Sequence, residues 1–405
     1  MKRLPLYIFL TASAISMIGN SLTMIAVPWF VLETTGSAAK TGLVGFFTAL
    51  PAVLAAFFGG TLVDRLGYKR MSIISDLASG LTVALIPLLY ITIGLQFWQL
   101  LLLVFLSALL DAPGNTARQA LLPDLATLTA TAPERVNAWQ QTVQRSATLV
   151  GPAVAGLLIT FVGSSQVLWL DAASFVVSAL LFAVAIPARQ AHAVAPVAYF
   201  EQLREGLRFV RRSRLILSLV LTVAITNFLD APVFAVVMPV YAKQIYNDAA
   251  KLGLMLSSFG AGAVIGGLIF GAVGQRLPRR VTFIILFVLV GLPFWVLALT
   301  PPFPMAVAAL FWAGLAAGPI NPILMTVFQE RIPPEMRGRV FGMIMAIALM
   351  AAPLGMVLTG YLLERLTVTV TLLIIAACYL LVTIGQIFNP ALRDMDNQQT
   401  APDYV

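Results

Sequence analysis

Apolar residues run through this chain in stretches of about 20 or more, separated by short clusters of charge, glycine and proline. A stretch of that length is what crosses the hydrocarbon of a bilayer as one helix. The pattern predicts twelve spans, near 5–32, 41–63, 71–94, 97–118, 137–161 and 166–187, then 214–242, 252–275, 281–300, 303–328, 338–363 and 368–389. Between the two sets of six lies a basic segment, 188–213. There Phe200, Leu203, Leu207 and Val210 recur at helical spacing against Arg204, Arg208, Arg211 and Arg212. That spacing predicts an amphipathic linker helix on the cytoplasmic leaflet, drawn to anionic lipid. The organisation expected is therefore a first bundle over 1–187, the linker over 188–213, a second bundle over 214–390 and a disordered tail over 391–405.

Composition agrees with membrane insertion. Of the 405 residues 60% are hydrophobic and only 10% charged, with a mean hydropathy of +0.94. Soluble domains are roughly a quarter charged. The net charge of +8 invites a nucleic-acid partner, but the bases sit in short loops between spans. Most fall in loops of one parity, with Lys40, Lys243, Lys251 and Arg365 in the other and Arg145 inside a span. Basic loops stay cytoplasmic, so this charge orients the protein, with both termini in the cytoplasm. The first run follows Lys2 and Arg3, yet it is too long for a leader and Trp29-Phe30-Val31 is no small-residue cleavage site, so it is read as the first helix. One cysteine, Cys378, and one histidine, His192, leave no basis for a disulfide, a cysteine metal cluster or a zinc-protease motif. No Walker A loop or Gly-x-Ser-x-Gly elbow occurs, so neither an enzyme nor direct ATP use is expected, and no cofactor or metal.

One short stretch carries an unusual density of charge: Gly60-Thr61-Leu62-Val63-Asp64-Arg65-Leu66-Gly67-Tyr68-Lys69-Arg70. It is expected as a tight turn of about eight residues between the second and third spans, with Gly60 allowing close helix approach and Gly67 a positive φ. At Gly60, Leu62, Asp64, Arg65, Gly67, Lys69 and Arg70 the stretch resembles the signature between helices two and three of the major facilitator superfamily, with Val63 and Tyr68 as mild departures. The resemblance implies an all-α membrane protein of twelve transmembrane helices in two pseudo-symmetric six-helix bundles around a central cavity. It also implies a gating role for the charged residues of the motif.

The two halves repeat one another. A shift of about 211 residues places Pro28 on Pro239, Gly42 on Gly253, Gly60 on Gly271, Arg65 on Arg276 and Lys69 on Arg280. The second copy is weaker, with Gln275 in place of the acid and Pro278 in place of the second glycine. Repeats with binding at their interface are a transporter trait. In the fifth span Gly151, Pro152 and Gly156 are similar to the superfamily's antiporter signature, although Ala147 and Ala155 stand where two glycines would be. Proline and glycine there predict a helix bend. Leu170–Phe175 and Gln329–Val340 resemble the branch that contains macrolide efflux proteins and the enterobactin exporter.

Ionisable residues inside a membrane are costly and usually face the interior or a cavity. Asp76 and Asp171 read as structural, and Arg118 as lying where the fourth helix exits. Asp111 and Arg145 are expected at similar depth on neighbouring helices and so to pair, as a latch, a proton relay or packing glue. Asp230, beside Asn227 and before Pro232, has no obvious basic partner, and Asn20 lies at comparable depth. These residues form the candidate proton and substrate site. Aromatic and methionine side chains such as Trp29, Phe46, Phe234 and Met238 offer an adaptable wall.

Taken together, the resemblance and the charge pattern imply a monomeric, proton-coupled exporter of amphipathic small molecules or drugs in a bacterial inner membrane, an antiporter working by alternating access. Its partners would be the substrate, protons and membrane lipid, with no nucleic acid. Two rivals remain: an exporter or importer of one native metabolite such as a siderophore or lysophospholipid, and a non-transporting receptor or scaffold. The motif reading predicts that Asp64→Asn cuts transport while expression, followed by immunoblot, is unchanged. Full transport by a well-expressed variant would remove Asp64 from the gate.

Overall fold

The computed structural model describes residues 3–185 and 199–396, without the side chains of 55–65, 185 and 199–203. His192, the first part of the linker and the last nine residues of the tail therefore lie outside the described residues. Helices follow one another almost without pause: α1 Leu4–Thr35, α2 Ala38–Leu66, α3 Tyr68–Thr92, α4 Phe97–Leu128, α5 Pro133–Val162 and α6 Ser164–Ala185. The linker helix is α7, Tyr199–Arg212. Then come α8 Arg214–Pro232, α9 Met238–Tyr241, α10 Ala249–Val273, α11 Arg279–Ala298, α12 Phe303–Ala317, α13 Ile320–Arg331, α14 Arg337–Arg365 and α15 Val368–Phe388. No strand occurs among the described residues. In hydrocarbon every backbone polar group needs an internal partner, which a helix supplies by itself.

Eleven helical segments among the described residues are long and apolar enough to cross a membrane. The 29-residue α2, whose described apolar part is Ala38–Leu54, makes the twelfth. Two spans are composite. One runs Arg214–Tyr246 through α8, a π-helical turn at Val233–Val237, α9 and a second π turn at Ala242–Tyr246. The other runs Phe303–Arg331 and breaks between α12 and α13 at Gly318-Pro319.

The charged stretch between the second and third spans is not an eight-residue loop. Helix α2 continues through Asp64 and Arg65 to Leu66, and α3 begins at Tyr68. Gly67 alone makes the connection, with φ +80° and ψ 148°, a backbone position that side chains rarely tolerate. Lys69 and Arg70 thus ride the first turn of α3, where Lys69 Nζ donates to the Ala183 carbonyl at 2.8 Å. In the second copy Pro278, held at φ −65°, cannot take that conformation. The chain uses a 3₁₀ turn at Gly274–Arg276 instead.

The chain clusters into two compact units, Met1–Pro196 with Met238–Ser257, and Val197–Val237 with Ser258–Val405. In the first, α1 packs on α5 and α6, α3 on α4 and α6, and α2 on α4. One end is closed by Leu6, Phe9, Leu121, Leu125, Val136 and Phe182, all buried. In the second, α8 packs on α14, and α11 on α12 and α15. The linker helix is packed against protein. Gly206 of α7 abuts the Arg339 carbonyl, Val210 is buried and Glu205 pairs with Arg339, so α7 is docked on α14. Arg204, Arg208, Arg211 and Arg212 stay exposed. Within the expected tail a 3₁₀ turn at Pro390–Met395 buries Leu392 and Met395, which the polar composition of 391–405 had hidden.

Helices α10 and α12 approach closely enough for bare backbone to touch. Gly262 and Gly266 on one, and Gly314 and Gly318 on the other, are each spaced by four. A Cβ at these positions would fall 2.0–2.3 Å from the Phe311, Leu315, Phe259 and Ala263 carbonyls. Small residues at that spacing drive helix association where lipid removes the hydrophobic driving force. Gly314→Leu is expected to lower stability by about 1–3 kcal/mol, the range for overpacking. Gly271→Ala, which meets nothing within 4 Å, should leave the melting temperature unchanged. Equal melting curves for both variants would disprove the contact.

Candidate functional site

Within the first unit a buried guanidinium collects the polar groups of four helices. Arg118 on α4 is 4% exposed. Its Nη1 donates to Asp76 Oδ1 on α3 at 3.1 Å and to Ser16 Oγ on α1 at 3.0 Å. Its Nη2 donates to Asp111 Oδ1 at 3.0 Å, and its Nε to the Gly114 carbonyl. Ser178 on α6 completes the shell of Asp76 by donating to its second oxygen at 2.7 Å. Asp111 in turn accepts from Asn115 at 2.7 Å and from Asn20 at 3.4 Å. Two carboxylates thus flank one cation, and every charge has partners, as a low-dielectric interior requires.

This arrangement corrects the expected Asp111–Arg145 pair. Arg145 is exposed on α5, and Asp111 takes Arg118 instead. The reason is helix length: α4 runs ten residues past Arg118 to Leu128, so Arg118 is not at an exit but mid-helix, two turns from Asp111 on the same face. Asp171 is also deeper than expected. It is fully buried, accepting from the Thr23 and Ser174 hydroxyls. Asn20 joins the Asp111 group rather than a layer with Asp230.

Gly151, Pro152 and Gly156 lie within α5. A Cβ on Gly151 would fall 2.5 Å from Ser21, and one on Gly156 would fall 2.3 Å from the Ala249 carbonyl. Gly253 reciprocates against the Pro152 carbonyl at 2.2 Å, and Ser257 Oγ accepts from the Ala153 amide at 3.0 Å. The motif therefore serves close packing of α5 on α1 and on the first turns of α10, all inside the first unit.

A cavity of about 580 Å³ opens beside the Arg118 group, between α1, α4 and α5. Helix α5 presents Asn137, Gln140, Gln141 and Gln144 to it, α4 presents Asn115 and Gln119, and α1 presents Asn20. In the second unit Asp230 lies just before the π turn at Val233–Val237. It accepts a hydrogen bond from the Tyr379 hydroxyl of α15 and makes no ion pair among the described residues. Asn227 does not reach it, donating instead to the Val223 carbonyl at 2.9 Å. A cavity of about 50 Å³ adjoins Asp230, walled by Phe234, Phe259, Val290, Phe294 and Leu310. Helix α14 crosses at this level, where a Cβ on Gly355 would meet the Phe228 carbonyl at 2.1 Å and Pro232. Trp29, by contrast, is buried in the first unit, donating to Glu33 under the Lys243 ammonium.

Sequence reasoning missed Arg118 as a centre, Tyr379 and the amide cluster. Two of these had a signal at helical spacing: Asp111, Asn115 and Arg118 on α4, and Asn137, Gln140, Gln141 and Gln144 on α5.

Long apolar spans in two units, charge buried in pairs and cavities among polar helix faces define a membrane transporter of the major facilitator fold. A family model described as transmembrane secretion effector matches residues 5–404, and the chain belongs to that family of the superfamily. It is a transporter and not an enzyme. It is 32% identical over 404 residues to the multidrug efflux pump Tap of Mycolicibacterium fortuitum, covering 98% of each chain. It is 24% identical over 375 residues to the macrolide efflux protein A of Streptococcus pyogenes, covering 90% and 91%. Among solved structures, the nucleoside transporter NupG superposes with a TM-score of 0.78 at 14% identity, covering 95% of this chain and 98% of that one. A bacterial homologue of the iron transporter ferroportin gives 0.71 at 14% identity, covering 95% and 98%.

Removing the central cation would leave two buried carboxylates uncompensated. Arg118→Met should destabilise the protein by on the order of 3–5 kcal/mol, the range for breaking one partner of a buried pair. Arg118→Met with Asp76→Asn should recover part of the loss. Arg145→Ala should cost little in the same thermal assay. A larger effect at Arg145 than at Arg118 would overturn the assignment.

Proposed function

We propose that this transporter exports amphipathic small molecules, drugs among them, from bacterial cells, exchanging them for protons by alternating access. Export is supported by the efflux activities that the names of its relatives carry. The observation that carries the coupling is Asp230: a half-buried carboxylate with a phenol partner and no ion pair among the described residues, at the foot of a π turn and against an aromatic cavity. Wide turns of this kind recur at functional sites. A carboxylate without a counter-ion gains or loses a proton without breaking a salt bridge, and the Tyr379 hydroxyl stabilises its charged form. Binding or release of the proton then biases the two access states through its different affinity for each.

In this reading the protein sits in the inner membrane, and the basic loops support cytoplasmic termini. The residues Gly60, Asp64, Arg65, Gly67, Lys69 and Arg70 act as the gate in this reading, with Gly151, Pro152 and Gly156 as the packed bend.

In proteoliposomes, Asp230→Asn is expected to bind substrate yet fail to concentrate it against a gradient, with substrate-driven proton flux abolished. Tyr379→Phe should shift the pH profile of that flux while retaining some of it. Unchanged flux and an unchanged profile in Asp230→Asn would remove this residue from coupling.

A further inference from the structure

The cavity of the first unit has a lining chemistry that none of the comparisons assigns. Seven side-chain amides from α1, α4 and α5 face about 580 Å³, a volume within the roughly 300–1,000 Å³ of small-molecule sites. On α5 they follow one face of the helix: Asn137, Gln140, Gln141 and Gln144, continued by Thr148. Gln140 is 8% exposed, and its Oε1 is buried with no hydrogen-bond partner. A buried acceptor left unpaired is costly. Gln140 itself lines the cavity, so a turn of its amide would bring that acceptor to a ligand donor.

The cavity also offers no free charge among its described lining. Arg118 is the charged group on its wall, and four of its five N–H groups are committed to Asp76, Asp111, Ser16 and the Gly114 carbonyl. Asp111 stands behind Asn20 and Asn115 and accepts from both. A cationic ligand would find no carboxylate on that lining, and an anionic one only the single remaining N–H of a guanidinium already paired with two carboxylates. Amides both donate and accept, and the neutral group that does the same at many points is the hydroxyl.

We propose that this cavity is a subsite for the polyhydroxylated, sugar-like part of the exported molecule, with Gln140 and Gln144 as its specificity-determining residues. The inference rests on the export reading for its physiological meaning, but the binding it predicts is measurable without transport. Discrimination by such a site comes from unpaired amides: a ligand lacking the hydroxyls leaves them buried and unsatisfied.

The test compares tritiated erythromycin, a glycosylated macrocycle, with its sugar-free macrocyclic core. Equilibrium binding is measured on the full chain in lipid nanodiscs. Wild type should bind the glycoside at least tenfold more tightly than the core. Gln140→Met, close in shape but unable to pair, should weaken glycoside binding about tenfold and core binding less than twofold. Gln144→Met, on an exposed position and so safe for folding, should do the same in smaller measure and decides the matter if Gln140→Met unfolds. Equal wild-type affinities, or a preference that survives both substitutions, would overturn the subsite. Accumulation of the same two compounds in cells expressing wild type tests export separately. A binding preference without export leaves the subsite standing and refutes the export reading.

Discussion

A guanidinium inside a helical bundle cannot be left to water, and the way Arg118 is satisfied sets the order of the first unit. Its partners come from α1, α3 and α4, and Ser178 of α6 secures the far side of Asp76. Four helices are thereby fixed in depth relative to one another, because sliding any of them by a turn would strip a buried charge of its match. The small residues around the group follow from this. A Cβ on Gly114 would fall 2.6 Å from Ser75, and one on Gly19 would strike Ser174 and Asp171. Polar pairing specifies the register, and glycine lets the backbones come near enough to hold it.

The second unit solves a different problem with different means. Asp230 has a phenol where Asp111 has a guanidinium, so one acid is held by charge and the other only by a hydrogen bond. One unit presents a hydrogen-bonding cavity lined by amides, the other an acid against aromatic walls.

Much of the fold was legible because hydrocarbon imposes length and composition on every span, and the spans read from hydropathy agree with the helices to within a few residues in most cases. The misreadings share a cause. Helix α4 overran its predicted end at Arg118, and α2 overran its own through Asp64, because a charged residue was taken as the mark of a boundary. Charge marks a boundary only where water is the partner. In α4 the partners are carboxylates on the same and neighbouring helices, and depth from sequence alone mispaired Asp111 with Arg145. The phenol of Tyr379 was invisible for another reason: it is 149 residues from Asp230, and no local spacing joins them.

The glycine contact between α10 and α12 has a consequence for biogenesis. Its two sides lie about fifty residues apart with α11 between them, and synthesis proceeds at roughly 5–20 residues per second. For several seconds α10 therefore stands in lipid with a bare strip of backbone and no mate, tolerable because its own hydrogen bonds are closed. A ribosome halted before Leu315 would leave the Gly266 end of that strip without the backbone it closes against.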